Sequence, residues 1–375
     1  DRPHPLTERL VPDPGCSNGW CLTPDVRGGG SVGSVVDIEG VKQRIDAEVD
    51  RLAPTLLEVS HDIHAHPEVL FEEHHAHDLL TGVIEAEGLA VERSAHGLAT
   101  GFVARGGTEG ATIAVCCEYD ALPGIGHACG HNIIAAAGLG AGLAAAAVAA
   151  EAGGRVLIWG TPGEEGGGGK QLMMDEGALD GVDAAVMVHP AGVDRRTMDT
   201  LAIQRAVVTY TGVAAHAAAA PQKGRNALDA MVLGYQSVAA LRQHIDDAER
   251  VHGIFTEAGD AANIVPARAV AEWYVRSTTG AGLAALRERV VTCLVAGADA
   301  AGCTVEIDWY EPAYDELIGI DAFDDLYVAN AARVGRRVER SGDPGVPPLL
   351  GSTDMGNVSQ AVPSIHPMIA AAPPD

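Results

Sequence analysis

The sequence contains little positive charge. Only Lys42, Lys170 and Lys223 are lysines, and 25 lysine and arginine residues stand against 51 aspartate and glutamate residues, for a formal net charge of -26. Proteins that bind nucleic acid or an anionic membrane surface need clustered Lys and Arg to neutralise phosphate. We therefore expect neither nucleic acid nor a membrane as a partner.

Cysteine is sparse and shows no pairing pattern. Seven cysteines lie scattered over 375 residues, and an odd, scattered set argues against a secreted disulfide framework and for a reducing compartment. The start of the sequence also lacks the apolar stretch of a signal peptide. These features predict a cytoplasmic protein. Residues 1–35, rich in proline, glycine and charge, are predicted to form a disordered extension.

Long hydrophobic segments are also rare. Residues 133–150 form an uncharged run long enough to suggest a membrane span. Alanine and glycine dominate this run, and it directly follows the polar Asn132. Weak hydrophobicity and this position favour a close-packed helix in the core of a soluble protein over a transmembrane helix.

The most informative segment that is present covers residues 118–132. Cys129 and His131 lie two residues apart and are separated by Gly130. A thiol and an imidazole at this spacing can face one metal ion only if the backbone bends sharply, and glycine permits the required φ values. This segment therefore predicts the first part of a metal site.

Two strand-like segments downstream also end in residues that can bind metals. Residues 155–159 lead into Glu164 and Glu165, and residues 184–188 lead into His189. Two adjacent glutamates alone would also be typical of a solvated acidic turn. In open α/β sheets, however, ligands collect at the carboxyl ends of the strands. We therefore expect one site formed by Cys129, His131, Glu164, Glu165 and His189.

The chain length suits two domains. A predicted amphipathic helix at residues 41–64 opens a unit of alternating strands and helices that reaches about residue 199. The pattern then changes to βαββαβ, the layout of a ferredoxin-like domain. Its predicted strands are 201–212, 251–257, 265–277 and 303–310, and its predicted helices are 226–244 and 283–298.

A glycine-rich segment at residues 163–170 resembles a phosphate-binding loop. Its first glycine is one residue out of register, and Gln171 stands where Ser or Thr would bind magnesium. We therefore assign no nucleotide site to Lys170 and its neighbours.

Eight short motifs, taken together, resemble those of a known family. They are HAHPE (64–68), EYDALP (118–123), ACGHN (128–132), GTPGEE (160–165), VHP (188–190), AAH (214–216), NIVP (263–266) and GSTDMG (351–356). In this order they resemble the aminoacylase-like metallopeptidases, and most closely their aminoacylase-1-like amidohydrolase and dipeptidase branch. That family includes glutamate carboxypeptidase, auxin-conjugate amidohydrolases and p-aminobenzoyl-glutamate hydrolase. The resemblance covers the chain from about residue 36 to its end.

The resemblance implies an α/β fold with two domains. Residues 36–199 and 313–375 would form a zinc-exopeptidase-like catalytic domain, with a mixed sheet and helices on both faces. Residues 200–312 would form an inserted ferredoxin-like α+β lid or dimerisation domain, which implies a homodimer. The implied cofactors are two divalent metal ions, zinc or manganese, and a thiolate ligand favours zinc.

The resemblance also implies roles for residues of the catalytic domain. Glu164 would act as general base, and Asp120 would support the ligands from behind. The implied ligands are Cys129, His131, Glu165 and His189. His64 and His66 are expected to be structural, and His74, His75 and His77 to form an exposed helical face.

The inserted domain would contribute His216, Asn263 and Arg276. In the family, a histidine at the position of His216 donates a hydrogen bond to the developing oxyanion, often across a dimer interface. Considered alone, His216 could equally be a strand-end histidine without a role. Asn263 and Arg276 would hold the carboxylate of the substrate.

We therefore expect a metal-dependent hydrolase of amide bonds in dipeptides or small N-acyl amino acids. The alternatives are a hydrolase of p-aminobenzoyl-glutamate or N-acyl amino acids, and a catalytically inactive binding or regulatory homologue. The family has a last metal-binding histidine beyond the 351–356 motif, whereas the sequence stops at Asp375. His366 lies in a separate motif ahead of that position and is not assigned as a ligand. Because the sequence also begins with Asp1, we expect a fragment or a processed form.

Overall fold

The computed structural model describes residues 8–12, 20–24 and 36–372. The chain divides into two compact units. The first unit comprises Asp1–Asp199 and Leu317–Asp375, and the second comprises Thr200–Glu316. The borders of the second unit lie close to those of the predicted inserted segment, 200–312.

Up to residue 200 the chain contains these elements: β1 (Glu8–Pro12), β2 (Trp20–Pro24), α1 (Ile38–Ala65), α2 (His74–Ala86), β3 (Val91–Arg93), a 3₁₀ turn (Ala95–Gly97), β4 (Phe102–Gly106), β5 (Ala111–Cys117), α3 (His131–Ala152), β6 (Gly154–Gly160), α4 (Gly169–Asp175), β7 (Ala184–Val186), β8 (His189–Ala191) and β9 (Asp199–Thr200). Strands β1 and β2 pair in antiparallel orientation. The rest of the predicted disordered extension lies outside the described residues.

The second unit contains β10 (Ala202–Thr211), β11 (Ala215–His216), a 3₁₀ turn (Pro221–Lys223), α5 (Ala227–Leu241), a 3₁₀ turn (Arg242–His244), β12 (Arg250–Glu257), β13 (Ile264–Val265), β14 (Arg268–Ser277), α6 (Gly280–Ala301) and β15 (Thr304–Trp309). The first unit then resumes with α7 (Asp321–Arg333), β16 (Leu350–Gly351), α8 (Met355–Ala361), β17 (Ser364–Ile365) and β18 (Met368–Ala370).

A six-stranded mixed sheet forms the centre of the first unit, in the order β17-β7-β5-β6-β4-β3. The first four strands of this order run parallel, whereas β4 and β3 join in antiparallel orientation. The parallel strands therefore end at one shared edge, and that edge carries the site described below.

Both faces of this sheet are buried. Side chains alternate along each strand, so Val115 and Ile158 belong to a core cluster with residues of α1, α2 and α3. Their neighbours Cys116 and Trp159 belong to a second cluster, with residues of α4 and α8. The predicted fold class, a mixed α/β sheet with helices on both faces, is confirmed.

Helix α3 is the apolar segment that was long enough to suggest a membrane span. In the structure it packs against α1 and against strands β5 and β6, and 61% of its most apolar stretch is buried. A Cβ atom at Gly138 would lie 2.4 Å from the carbonyl oxygen of Cys116, and one at Gly142 would lie 2.6 Å from Ile158. Small residues therefore let the helix approach the sheet closely, as in the core of a globular unit.

The predicted exposed face of His74, His75 and His77 is only partly exposed in the structure. His74 and His75 are exposed, but His77 is buried in α2, with its ring 6.1 Å from that of Phe102. The prediction of an exposed His77 is wrong because Leu80 and Ile84 follow it at helical spacing on the face that packs into the core.

The second unit has one four-stranded antiparallel sheet, in the order β12-β14-β10-β15, with α5 and α6 packed on it. Its main elements follow the predicted βαββαβ order. Asn226 caps α5 by accepting hydrogen bonds from the N–H groups of Leu228 and Asp229. A core cluster that includes Tyr210 and Trp273 joins the helices to the sheet.

Candidate metal centre

Polar side chains follow the four parallel strands of the six-stranded sheet where those strands end. These side chains are His366 after β17, His189 after β7, Glu118 and Asp120 after β5, and Glu164 and Glu165 after β6. Because the four strands are neighbours in the sheet, their carboxyl ends meet at one edge. The topology therefore brings together residues that are far apart in the sequence.

A glycine turn adds two more side chains. Gly130 has φ of 86°, and a Cβ atom there would lie 2.5 Å from Pro190. Only glycine tolerates both conditions without strain. The turn places the thiol of Cys129 3.6 Å from Nε2 of His189, and it starts α3 at His131.

The Nε2 atom of His131 is surrounded by carboxylates. It lies 3.5 Å from Oε2 of Glu118, 3.8 Å from Oε2 of Glu164 and 3.7 Å from Oε1 of Glu165. Two nitrogen or oxygen ligands of one tetrahedral zinc ion lie roughly 3.4 Å apart, given metal–ligand bonds of about 2.1 Å. Two overlapping groups of donors thus share His131, one with Cys129 and His189 and one with Glu118 and Glu164.

Asp120 holds His131, which both groups share, and also the backbone of Glu165. Its Oδ1 accepts a hydrogen bond from Nδ1 of His131 at 2.7 Å, and its Oδ2 accepts one from the backbone N–H of Glu165 at 2.8 Å. Burial opposes ionisation of this carboxyl, but the hydrogen bond and charge of His131 hold its pKa below the usual value. Asp120 therefore directs Nε2 of His131 towards the other donors.

Several buried polar atoms at this edge have no hydrogen-bond partner within the described residues. They are Oε2 of Glu118, Nε2 of His131, Oε1 of Glu165, and both ring nitrogens of His366. Leaving such atoms unpaired is costly. Thiol, imidazole and carboxylate donors that converge in this way fit divalent metal ions, and zinc in particular suits this mixed donor set.

Burial also changes the ionisation of these groups. Burial, and next the charge of Glu118, raise the pKa of Glu164 well above its usual value. Burial also raises the pKa of Glu165, and it lowers the pKa of His366 to about 3. His366 is therefore a neutral imidazole at physiological pH, which is the form that binds metals.

Sequence reasoning missed four residues at this edge. Lys170 donates hydrogen bonds from Nζ to Glu118 and, at 2.7 Å, to Oδ1 of Asp354. All three side chains are fully buried. The fourth residue, His366, has its ring centroid 5.6 Å from that of His189. Glu118 and Asp354 lie within recognised motifs, which was the available signal, whereas Lys170 was set aside with the phosphate-loop resemblance.

The remaining predicted site residues lie in the second unit. His216 is exposed, and its Nδ1 accepts the backbone N–H groups of Ala218 and Ala219, each at 3.2 Å. Its proton is therefore on Nε2, which can donate to a ligand. The neighbouring carbonyl of Asn263 accepts the N–H of Ala217, so His216 and Asn263 lie close together.

Arg276 lies apart from this pair. Strand β14 begins at Arg268, beside the β11–β13 pair, and Arg276 follows eight residues later. That separation corresponds to about 26 Å along an extended strand. Within this unit, Asn263 and Arg276 are therefore separated along β14. Their role in holding a substrate carboxylate stays a prediction.

Residues 114–373 match the model of "Peptidase family M20/M25/M40", and the chain belongs to this family. It is 38% identical to the Xaa-Arg dipeptidase of Mus musculus over 348 residues, which cover 89% of this chain and 80% of the relative. It is 34% identical to one of the p-aminobenzoyl-glutamate hydrolase proteins of Escherichia coli over 280 residues, or 69% of this chain and 58% of that protein.

Solved structures agree on the fold. An aminobenzoyl-glutamate utilization protein from Klebsiella pneumoniae superimposes with a TM-score of 0.71 at 23% identity, over 86% of this chain and 93% of that one. A dinuclear metal-binding M20 peptidase from Bacillus subtilis gives a TM-score of 0.65 at 21% identity, over 86% and 89% of the two chains. The family and its relatives confirm the predicted class, a metal-dependent hydrolase of amide bonds.

Proposed function

We propose that the protein is a two-metal dipeptidase that cleaves small dipeptides with a basic C-terminal residue. The observation that carries this proposal is the convergence of Cys129, His131 and His189, with Oε1 of Glu165 3.7 Å from Nε2 of His131, together with unpaired buried donor atoms at the same edge. The two-ion count is supported by the Bacillus subtilis relative, which is described as dinuclear. The preference for a C-terminal arginine is supported by the relative from Mus musculus.

The proposed ligands are Cys129, His131, Glu165 and His189, and the proposed metal is zinc, with manganese as the alternative. Bound divalent ions would supply Lewis acidity, which polarises the scissile carbonyl and makes water more acidic. Glu164 would take the proton of the attacking water and pass it to the leaving amine. Because Glu164 directly precedes the ligand Glu165, its carboxylate lies close to the metal ligands.

We propose that His216 donates a hydrogen bond from its Nε2–H to the oxyanion that forms on the substrate carbonyl. The hydrogen bonds from Ala218 and Ala219 to Nδ1 support this role because they leave Nε2 as the donor. Asn263, which lies beside His216, would hold the substrate carboxylate. We further propose a homodimer, in which His216 can serve the partner protomer, and a cytoplasmic location.

Replacing Glu164 tests the chemical step. E164Q keeps the shape of the side chain but cannot accept a proton, so we expect kcat to fall by about 10²–10⁴ while the metal content measured by mass spectrometry stays unchanged. E58Q, at an exposed position of α1, is the control and should behave as wild type. Near-normal turnover of E164Q would remove Glu164 from the mechanism.

A substrate panel tests the specificity. We expect a higher kcat/KM for dipeptides ending in arginine than for p-aminobenzoyl-glutamate or N-acetyl amino acids. A preference for p-aminobenzoyl-glutamate, the substrate named for the Escherichia coli relative, would replace the proposed substrate and leave the proposed chemistry in place. Tight binding of all these compounds without turnover, at saturating zinc or manganese, would overturn the proposed function.

A further inference from the structure

Lys170 lies at the centre of a buried group of charges. Its Nζ donates to Oε1 of Glu118 and to Oδ1 of Asp354, and its backbone N–H donates to Oδ2 of Asp354 at 3.0 Å. The side chains of Lys170, Glu118 and Asp354 are all fully buried. Asp354 is thus held through both of its oxygens, whereas Glu118 is held through one.

The charges in this group do not balance. Two carboxylates share one ammonium, and the carboxyl of Glu164 lies near enough to Glu118 and Asp354 for their charges to disfavour its ionisation. A buried carboxylate without a counter-charge is strongly unfavourable. A positive charge next to Oε2 of Glu118 would remove this imbalance, supplied either by a protonated His131 or by a bound metal ion.

The free oxygen of Glu118 is aimed at that centre. Oε2 of Glu118 has no hydrogen-bond partner within the described residues and lies 3.5 Å from Nε2 of His131, an atom that is also unpaired there. This separation matches the roughly 3.4 Å between two ligands of one tetrahedral ion. An ordinary ion pair with Lys170 would explain only the other oxygen.

We propose that Lys170 is a positioning residue of the metal centre, and that it holds Glu118 so that Oε2 is a further ligand of the ion bound by His131. The proposal rests on the proposed function only in requiring a bound metal. The glycine-rich segment 163–170 and the GSTDMG motif then both contribute to this buried charge group. Each delivers one member of the group, Lys170 and Asp354 respectively.

The absorption spectrum of the Co²⁺-substituted protein tests this role without a measurement of turnover. In the Co²⁺-loaded protein, the charge-transfer band of the Cys129 thiolate serves as an internal reference, whereas the ligand-field bands report the oxygen and nitrogen ligands. We expect E118Q to alter the ligand-field bands and to weaken one metal site by more than the roughly 100-fold seen when a supporting residue is lost, with the thiolate band retained. The E118Q side chain keeps its volume and an oxygen for Lys170, so folding is preserved.

Variants of Lys170 distinguish a role in positioning Glu118 from a role in packing alone. We expect K170M to change the cobalt spectrum in the same way as E118Q, and K170R to restore it at least in part. K42M, at a surface lysine paired only loosely with Glu39 at 3.9 Å, is the matched control. If K170M does not fold, the E118Q variant alone tests the proposal.

Wild-type metal affinity and an unchanged cobalt spectrum in E118Q would overturn the proposal and leave Glu118 as a structural partner of Lys170. That result would be independent of Glu164. E164Q would still lose turnover if the proposed chemistry is correct, and it would retain turnover if that chemistry is wrong. The two hypotheses therefore fail in different experiments.

Discussion

The Nδ1 atom of His131 lies 2.7 Å from Oδ1 of Asp120, and this bond determines which ring nitrogen faces the metal centre. The other oxygen of Asp120 accepts the N–H of Glu165. Two donors therefore converge on one carboxylate. A carboxylate accepts from both, whereas an amide offers one oxygen and one NH₂ group.

We accordingly expect D120N to weaken metal binding by about 10–100-fold, because its NH₂ group must oppose either His131 or the N–H of Glu165. Competition with a chelator of known affinity measures the change. D50N, on the exposed side of α1, should bind metal as wild type does. Unchanged affinity in D120N would show that the orientation of His131 is fixed by packing alone.

His366 offers a second test of the site. Its ring is fully buried beside His189 and is held neutral by burial, and its nitrogens have no partner among the described residues. If it binds metal, H366A should lose affinity for one ion by more than the roughly 100-fold seen when a supporting residue is lost. Isothermal titration with zinc measures this loss.

The exposed His244 provides the control for that experiment, since H244A removes an imidazole from the second unit, outside the proposed ligand set. Equal zinc affinity in H366A and H244A would assign His366 to packing against His189, without a role in binding.

Two helical glycines are predicted to respond to alanine in opposite ways. At Gly138 in α3, the added Cβ would lie 2.4 Å from the carbonyl oxygen of Cys116, which the sheet holds in place. We expect G138A to lower the free energy of unfolding by about 1–3 kcal/mol. At Gly82 in α2, the described atoms leave open space around a new Cβ, so G82A should raise it by about 0.5–1 kcal/mol.

Urea unfolding of both variants measures this difference, and G82A is the matched control because the chemical change is identical. Equal effects of the two substitutions would show that α3 can move away from the sheet at little cost.

Glu73 is predicted to make stability depend on pH. Its carboxyl accepts hydrogen bonds from Phe71, Thr100 and Gly163, and burial raises its pKa to about 7. The unfolded chain has a pKa near 4.5 for this group, so the folded state binds the proton more tightly. The stabilising contribution is therefore complete below pH 4.5 and is lost as the pH rises to about 7.

We expect the free energy of unfolding of the wild type, relative to E73Q, to fall across this window by at most about 1.4 kcal/mol per pH unit. Urea unfolding of both proteins between about pH 4.5 and 8 gives this difference, in which contributions from other groups cancel. A constant difference would mean that the three hydrogen bonds keep Glu73 ionised throughout.

Sequence reasoning identified the parts of the site that follow strands or a glycine turn. Cys129, His131, Glu164, Glu165 and His189 were recognised because β-branched runs and glycines mark the local geometry that aims them. Asp120 was recognised through the resemblance of its EYDALP motif to that of the family. The βαββαβ order of the second unit was predictable for the same reason, since alternation of helical and strand periodicity is a local property.

Long-range partners were not predictable in this way. Lys170 and Asp354 are 184 positions apart in the sequence, and nothing near either residue shows that the other neutralises it. His77 was predicted to share an exposed helical face with His74 and His75 because the three match no motif, whereas burial depends on what packs opposite. The separation of Asn263 from Arg276 likewise depends on where a strand starts and how long it is.

The order in which the chain is synthesised also matters for this centre. Strand β17 pairs with β7 at the edge of the first unit's sheet, yet the whole of Thr200–Glu316 lies between them in the sequence. A chain emerging from the ribosome therefore presents the carboxylates after β5 and β6 well before Asp354 and His366 exist to complete the edge. The buried charge group of Lys170, Glu118 and Asp354 is therefore completed only after the last part of the first unit has been synthesised.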